Sequence, residues 1–369
     1  MRPTYALINL SNLKYNYLQI KKKVKNSKMM AVVKADAYGH GMIKCVEALQ
    51  SLKNKRPDYY AVALFEEGKE LRKSKIVDQP ILTFSPFNSD ELKEYFRFDL
   101  MPTITNADQI KQLSSLKLSK KLKVHVNIET GMGRLGISYI EAVEQIIRLS
   151  KIKNVVVDGI YTHFATSDEK DKTYANQQLN RFKKVIEELK FQKIEIGKIH
   201  CANSGAIIDM PDSYFDMVRP GISLYGFYPS LETSESIKLK PVMSIISEVE
   251  NVRKIKKGES VSYGRRYIAK NETNIFTVPI GYADGIPRNL TNKIECIISD
   301  KKFKQIGTIT MDRIMFESGS KLLKTGTNIQ LLGKSKSYEI NAWDWSKLIN
   351  TIPYEITCGI SKRVPRKYK

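Results

Sequence analysis

Hydrophobic and polar positions divide the chain into two regimes. Over the first two-thirds, short apolar runs at 29–34, 60–64, 81–85, 101–105, 123–129, 155–163, 198–203 and 217–222 read as strands buried on both faces. Between them, 43–53, 66–75, 107–116, 140–151 and 173–190 place apolar residues at helical spacing. Eight strands alternating with helices predict an α/β fold, a (β/α)8 TIM-type barrel, over residues 1–235. From about Leu239 the pattern changes. Segments 242–252, 274–279, 294–298, 303–309 and 327–332 read as strands parted by turns such as Lys257-Gly258 and Thr325-Gly326, with little helix before 342–349. A second, mainly β domain is expected over 236–369, after a polar, exposed boundary at 230–235. No internal repeat and no low-complexity linker interrupts the chain.

In a parallel barrel, functional side chains gather just beyond the C-terminal ends of the strands. The run Met29-Met30-Ala31-Val32-Val33 ends on Lys34, and Gly39 and Gly41 separate it from a helical pattern that begins at Met42. A lysine at such a place can be desolvated, lose its proton and form a Schiff base with an aldehyde. Arg134, His163, Ser204 and Arg219 also fall at or just past expected strand ends. Taken alone, one lysine among 61 basic residues is ordinarily a solvated surface group.

Bulk properties narrow the partners. With 369 residues the chain can bury a large core in two domains. No apolar run approaches the ~20 residues needed to cross a bilayer. The opening Met1-Arg2-Pro3-Thr4-Tyr5-Ala6 lacks an apolar signal segment, so a cytoplasmic location is expected. Cysteines at 45, 201, 296 and 358 show neither metal-ligand nor disulfide spacing, and no metal is expected. The net charge of +22 raises the question of nucleic acid. However, 46 of the 61 basic residues are lysines spread along the whole chain, without interleaved aromatics or a nucleic-acid module. A solvated surface explains them, and neither nucleic acid nor membrane is expected as a partner.

The segment Lys34-Ala35-Asp36-Ala37-Tyr38-Gly39-His40-Gly41 resembles the pyridoxal-phosphate lysine motif of bacterial alanine racemases, and the resemblance runs end to end. It includes Thr130-Gly131-Met132-Gly133-Arg134-Leu135-Gly136, Tyr161-Thr162-His163-Phe164-Ala165, Asn203-Ser204 and Val218-Arg219-Pro220-Gly221-Ile222. The second domain adds Val261-Ser262-Tyr263-Gly264, Ile280-Gly281-Tyr282-Ala283-Asp284-Gly285, Thr310-Met311-Asp312 and Pro353-Tyr354-Glu355. The resemblance implies pyridoxal 5'-phosphate as cofactor and interconversion of L- and D-alanine, supplying D-alanine for peptidoglycan. It implies two opposed bases, Lys34 on the D face and Tyr263 on the L face. A tyrosine base needs cationic neighbours or hydrogen bonds that favour phenolate, which the family supplies through His163 and Arg219.

By the same resemblance, Arg219 faces the pyridine nitrogen, and its permanent charge keeps that nitrogen unprotonated. Tyr38, Ser204, Gly221, Ile222 and Tyr354 would bind the phosphate. Arg134 would contact the cofactor's phenolic oxygen and the substrate carboxylate, and Met311 that carboxylate through its N–H. Tyr282 and Tyr354 would narrow the pocket, Asn203 would support Ser204, and Asp312 would hold the Met311 loop. The family's arrangement makes a homodimer in which the β domain of one subunit completes the barrel site of the other.

One departure stands out. Many relatives carry a carbamylated lysine at the place of Asn127, giving an anion beside the arginine. Here either a small anion such as chloride fills that role, or Asn127 and Glu129 orient Arg134 by hydrogen bonds. Rival readings are a serine or broad-specificity racemase, a decarboxylase on the same scaffold, and a pyridoxal-phosphate carrier. Tyr354, Arg219 and the β domain bearing Tyr263 argue against them in turn.

Overall fold

Eight parallel strands close into a barrel: Lys28–Val32, Tyr59–Val62, Ile81–Pro86, Leu100–Ile104, Leu122–Glu129, Val155–Tyr161, Lys198–His200 and Met217–Val218. The ring is complete because Thr103 pairs with His125 across the fourth and fifth strands, and Met217 of the last strand pairs with Lys28 of the first. The computed structural model describes residues 2–369. All eight expected strands form, and five of the expected runs, 29–34 and 60–64 among them, outlast their strands by two or more residues. Runs 155–163, 198–203 and 217–222 leave the ladder at Tyr161, His200 and Val218, although Thr162, Cys201, Ala202 and Ile222 stay buried. Burial continues past the last ladder bond, so an apolar run overstates the strand. Helix Leu10–Val24 was not anticipated, although its buried positions Leu13, Asn16, Tyr17, Ile20 and Val24 follow the helical period.

The chain divides into two compact units. One comprises Leu13–Ala37 and Met42–Lys240, the other Met1–Asn12, Tyr38–Gly41 and Pro241–Lys369. The expected division at 235/236 therefore needs two corrections. The first residues belong with the β unit, because Tyr5–Ile8 pairs antiparallel with Met243–Glu248 on one side and parallel with Arg366–Tyr368 on the other. At the other end, the barrel unit keeps the chain through Lys240. The Asn16 amide donates to the Leu224 and Lys240 carbonyls and accepts from Lys240 N–H.

The β unit is a ten-stranded sheet with a small hairpin, Ser260–Val261 against Tyr267–Ile268. Strand Ile314–Gly319, also unanticipated, buries alternate residues as a half-covered strand should. Ile255, Val261, Ala269, Ile275 and Ile306 pack as one core cluster beneath the hairpin.

The turn after the first barrel strand is unusual. Ala35, Asp36, Ala37 and Tyr38 have φ of 51°, 53°, 55° and 55°, and Gly39 follows at 82°. Four successive side-chain-bearing residues thus form a left-handed turn, a conformation that costs roughly 1–2 kcal/mol per residue. Such strain persists only where surrounding contacts over-determine it. Ala35 N–H donates to Glu67 Oε1 (2.6 Å), Ala37 N–H to the Val33 carbonyl (2.9 Å), and Met42 N–H to Asp36 Oδ1 (2.7 Å). Tyr38–Gly41 count with the β unit, where Arg366 Nε donates to the Gly39 carbonyl (3.0 Å).

The strain makes a signed stability prediction. Removing the exposed Ala35 side chain relieves the left-handed penalty and adds back unfolded-state entropy, so Ala35→Gly is expected to stabilise by up to about 1 kcal/mol. Ala48→Gly, inside helix Met42–Gln50, should instead destabilise by about 1 kcal/mol. Urea unfolding of both variants checks the opposite signs; destabilisation by Ala35→Gly contradicts the strain.

Candidate active site

The barrel unit gathers Lys34, Arg134, His163 and Arg219 at strand ends. Lys34 lies immediately before the left-handed turn, two residues past the first strand. Arg134 lies in the loop after the fifth strand, where the Glu129 carboxylate accepts the N–H groups of Gly131, Gly133 and Arg134. His163 follows the sixth strand. Its pKa is held well below the usual imidazole value by burial first, then by the charges of Arg219, Arg134 and Lys34. All three cations therefore act on one neutral histidine, and a mouth lined this way favours an anionic ligand.

Arg219 is buried, 3% exposed. Its Nη1 donates to His200 Nδ1 (2.8 Å) and the His200 carbonyl (2.9 Å). Its Nη2 donates to the Thr162 (2.8 Å) and Cys201 (3.2 Å) carbonyls and lies 3.4 Å from His163 Nδ1. Burial lowers its pKa to about 10, which leaves it charged at neutral pH. Tyr161 places its ring 5.0 Å from this guanidinium and stacks on His200.

A guanidinium can only donate, which fixes the direction of a hydrogen-bond chain through the barrel interior. His200 Nδ1 accepts, so its proton sits on Nε2, which donates to His125 Nδ1 at 2.8 Å. His125 then carries its own proton on Nε2, 3.5 Å from Asp158 Oδ2. Asp158 also meets Lys123 Nζ (3.3 Å) and accepts from the Tyr59 hydroxyl (3.2 Å). The approach of His125, first among its causes, and the nearby charge of Lys123 lower the Asp158 pKa to about 2. Gly159 makes room for the chain, since a Cβ there would lie 2.6 Å from His125 Cε1. Sequence reasoning missed His125, Asp158 and Tyr59, and used His200 only as motif context.

Ser204 Oγ accepts the N–H groups of Gly221 (3.0 Å) and Ser223 (3.3 Å) and lies 3.0 Å from Ser223 Oγ. Amides and hydroxyls converge there on one small volume, as a phosphate requires. Ile222 is buried in the same loop. Asn203 caps the helix that begins at Ser204, accepting from Ala206 N–H and the Ser167 hydroxyl, so its part is structural. Asn127 donates to the Leu135 carbonyl, and Glu129 spends its oxygens on backbone N–H groups. Neither orients the Arg134 guanidinium, which corrects the hydrogen-bonding alternative.

The β unit holds the other expected residues. Tyr263 is 73% exposed, an unusual state for a large aromatic, on a backbone that is held firmly. Thr308 Oγ1 donates to the Tyr263 carbonyl (2.6 Å), and Ser262 Oγ donates to the Thr308 carbonyl (2.7 Å). Tyr282 and Met311 are 41% and 52% exposed on adjoining loops. Tyr282 N–H donates to the Thr310 carbonyl and Ala283 N–H to that of Met311. Gly281 permits this approach, because a Cβ would lie 2.3 Å from Thr310 O. Among the described residues nothing accepts the Met311 N–H. Asp312 pairs with Arg363 (2.6 Å), which also lies 3.4 Å from buried Asp284. Tyr38 and Tyr354 lie side by side, ring centroids 5.9 Å apart.

Residues 8–229 match the family model for the alanine racemase N-terminal domain, and residues 242–368 that for the C-terminal domain. The chain belongs to the alanine racemase family. It is 42% identical over 377 residues to the alanine racemase of Treponema denticola, covering 99% of this chain and 98% of that protein. It is 39% identical over 372 residues to that of Halothermothrix orenii, covering 100% of this chain and 97% of that protein. A solved alanine racemase of Clostridium difficile superposes with a TM-score of 0.93 at 36% identity, covering 100% of this chain and 96% of that one. The alanine racemase family uses pyridoxal phosphate, and the cationic mouth and converging amides of this barrel suit an aldehyde phosphate. Among the described residues no helix is long and apolar enough to cross a membrane.

The buried histidines give a pH prediction. Burial, the largest cause in each case, lowers the pKa of His125, His163 and His200 below the usual value. Their unfolded forms titrate near ~6.5, so unfolding takes up protons below that pH. Stability is full above pH ~6.5 and is lost as the pH falls toward the depressed folded values. Below pH ~6.5 the slope should rise toward a limit of three protons, about 4 kcal/mol per pH unit. Urea unfolding at several pH values measures it, and pH-independent stability over that window contradicts the neutral assignment.

Proposed function

We propose that this chain interconverts L- and D-alanine with pyridoxal 5'-phosphate bound at the barrel mouth, in the cytoplasm, as a homodimer. The observation that carries the reading is the set of Lys34, Arg134 and Arg219 around one neutral His163, beside the amide cluster at Ser204. When bound, the cofactor supplies a conjugated ring that acidifies the substrate α-proton. Lys34 would hold the cofactor through its Nζ, and the same amine would move a proton on the D face of the substrate. Tyr263 Oη of a second copy moves a proton on the L face. Its high exposure on a rigid turn supports that role, since an aromatic held out to solvent is suited to reach another chain.

Arg134 and the free Met311 N–H would hold the substrate carboxylate, and Arg219 would face the pyridine nitrogen. Ser204, Gly221, Ile222, Tyr38 and Tyr354 would bind the phosphate, while Tyr282 and Tyr354 limit the side chain to little more than a methyl group. Arg219, where an acidic residue would mark other chemistry, argues against the decarboxylase reading. The expected product is D-alanine for peptidoglycan.

Three measurements test this. Borohydride reduction and peptide mapping should place the pyridoxyl group on Lys34; label on another lysine overturns the assignment. Circular dichroism of L-alanine over time should show racemisation, with serine much slower. Lys34→Ala and Tyr263→Phe homodimers should each lose ~100-fold or more, and mixed dimers should regain activity at one of their two sites. Absence of recovery after proven subunit exchange contradicts a shared site.

The Arg134 guanidinium has no ion-pair partner among the described residues, which favours a bound anion there. Activity should then rise with chloride at constant ionic strength. A flat titration from gluconate buffer removes the anion.

A further inference from the structure

Glu67 joins two adjacent strand ends through one carboxylate. It is the third residue of helix Phe65–Lys73, and its Oε2 accepts the N–H groups of Ala63 (2.8 Å) and Leu64 (3.1 Å). That reach back to the residue before the helix is an ordinary capping interaction and would satisfy the helix by itself. Its Oε1 serves a different segment. It accepts the Ala35 N–H at 2.6 Å, from 32 positions earlier in the chain. Ala35 is the first residue of the left-handed turn and shares a peptide unit with Lys34. An N–H at the start of a helical turn has no acceptor within the turn.

From this geometry we infer that Glu67 is a positioning residue for Lys34. By fixing the peptide that joins Lys34 to Ala35, it sets the direction in which the lysine side chain leaves the strand end. The left-handed turn supplies the need for it: four strained residues directly after the reactive amine would relax, and swing that amine, without a fixed first peptide. Both oxygens are required. The single carbonyl oxygen of a glutamine cannot serve Ala35 on one side and the helix cap on the other as two carboxylate oxygens do. A mere cap residue would leave Oε1 to water. The inference rests on the reading that Lys34 carries the cofactor.

The test uses the holoenzyme with Glu67→Gln and Glu67→Ala. Amide hydrogen exchange over residues 35–38 should accelerate at least tenfold in both. The value of kcat for alanine should fall tenfold or more while KM stays within about threefold, because small misplacements of a reacting group are costly in rate. Reverting to glutamate in the same background should restore both. A residue that only caps the helix would instead raise exchange within residues 65–73 and lower the melting temperature, with kcat per folded site unchanged. That result, or a loss of kcat with unaltered exchange at 35–38, overturns the inference. Borohydride labelling of the wild-type protein is read separately. Label away from Lys34 defeats the functional reading, while exchange at 35–38 still reports whether Glu67 holds the turn.

Discussion

A buried positive charge organises the barrel mouth. Moving a guanidinium out of water is expensive unless its donors are all used. Both terminal nitrogens of Arg219 find acceptors, in the carbonyls of Thr162, His200 and Cys201 and the imidazole of His200. These acceptors lie at the ends of two neighbouring strands, so the price of burying Arg219 is also what ties those ends together. Two neutral histidines then run from it toward Asp158, whose Oδ2 lies 3.5 Å from His125 Nε2. The mouth thereby stays cationic and His163 stays neutral, the electrostatic condition for holding a phosphate and a carboxylate side by side.

Strain sits beside both residues proposed as bases, and in each case local hydrogen bonds hold it. Lys34 precedes four left-handed residues, tied by Glu67 and Asp36. Tyr263 follows Ser262, whose φ is 66°, and reciprocal bonds with Thr308 fix that turn. Positions of this kind carry energy that the surrounding fold must supply. Each sits on a scaffold that does so: the first-strand turn on a closed barrel, and the hairpin on the core formed by Val261 and its neighbours.

Much of this was legible in the sequence. Parallel barrel strands are buried on both faces, so they appear as continuous apolar runs, and all eight were found. Lys34 stood out by its place at a strand end, and Arg134, His163, Ser204 and Arg219, picked out by the motif resemblance, fall where the same rule puts chemistry. Other features depend on pairing that no local pattern encodes. Tyr5–Ile8 joins strands from the far end of the chain. His125 meets His200 only because register sets His125 opposite Gly159. The left-handed turn was hidden because Ala and Tyr give no local sign of positive φ, and a single Asp does not announce four such residues in a row. The motif resemblance identified the residues there, but not the strain they hold.

The central claim is that Arg219 is held by neutral histidines whose protons all point toward Asp158. Nitrogen-15 NMR of the histidine side chains tests it directly. The account predicts that His200 and His125 each show a protonated Nε2 and an unprotonated Nδ1, and that both rings stay neutral as the pH falls through the ordinary imidazole value, because burial depresses both pKa values. A proton on Nδ1 of His200, or a doubly protonated ring at neutral pH, would contradict it.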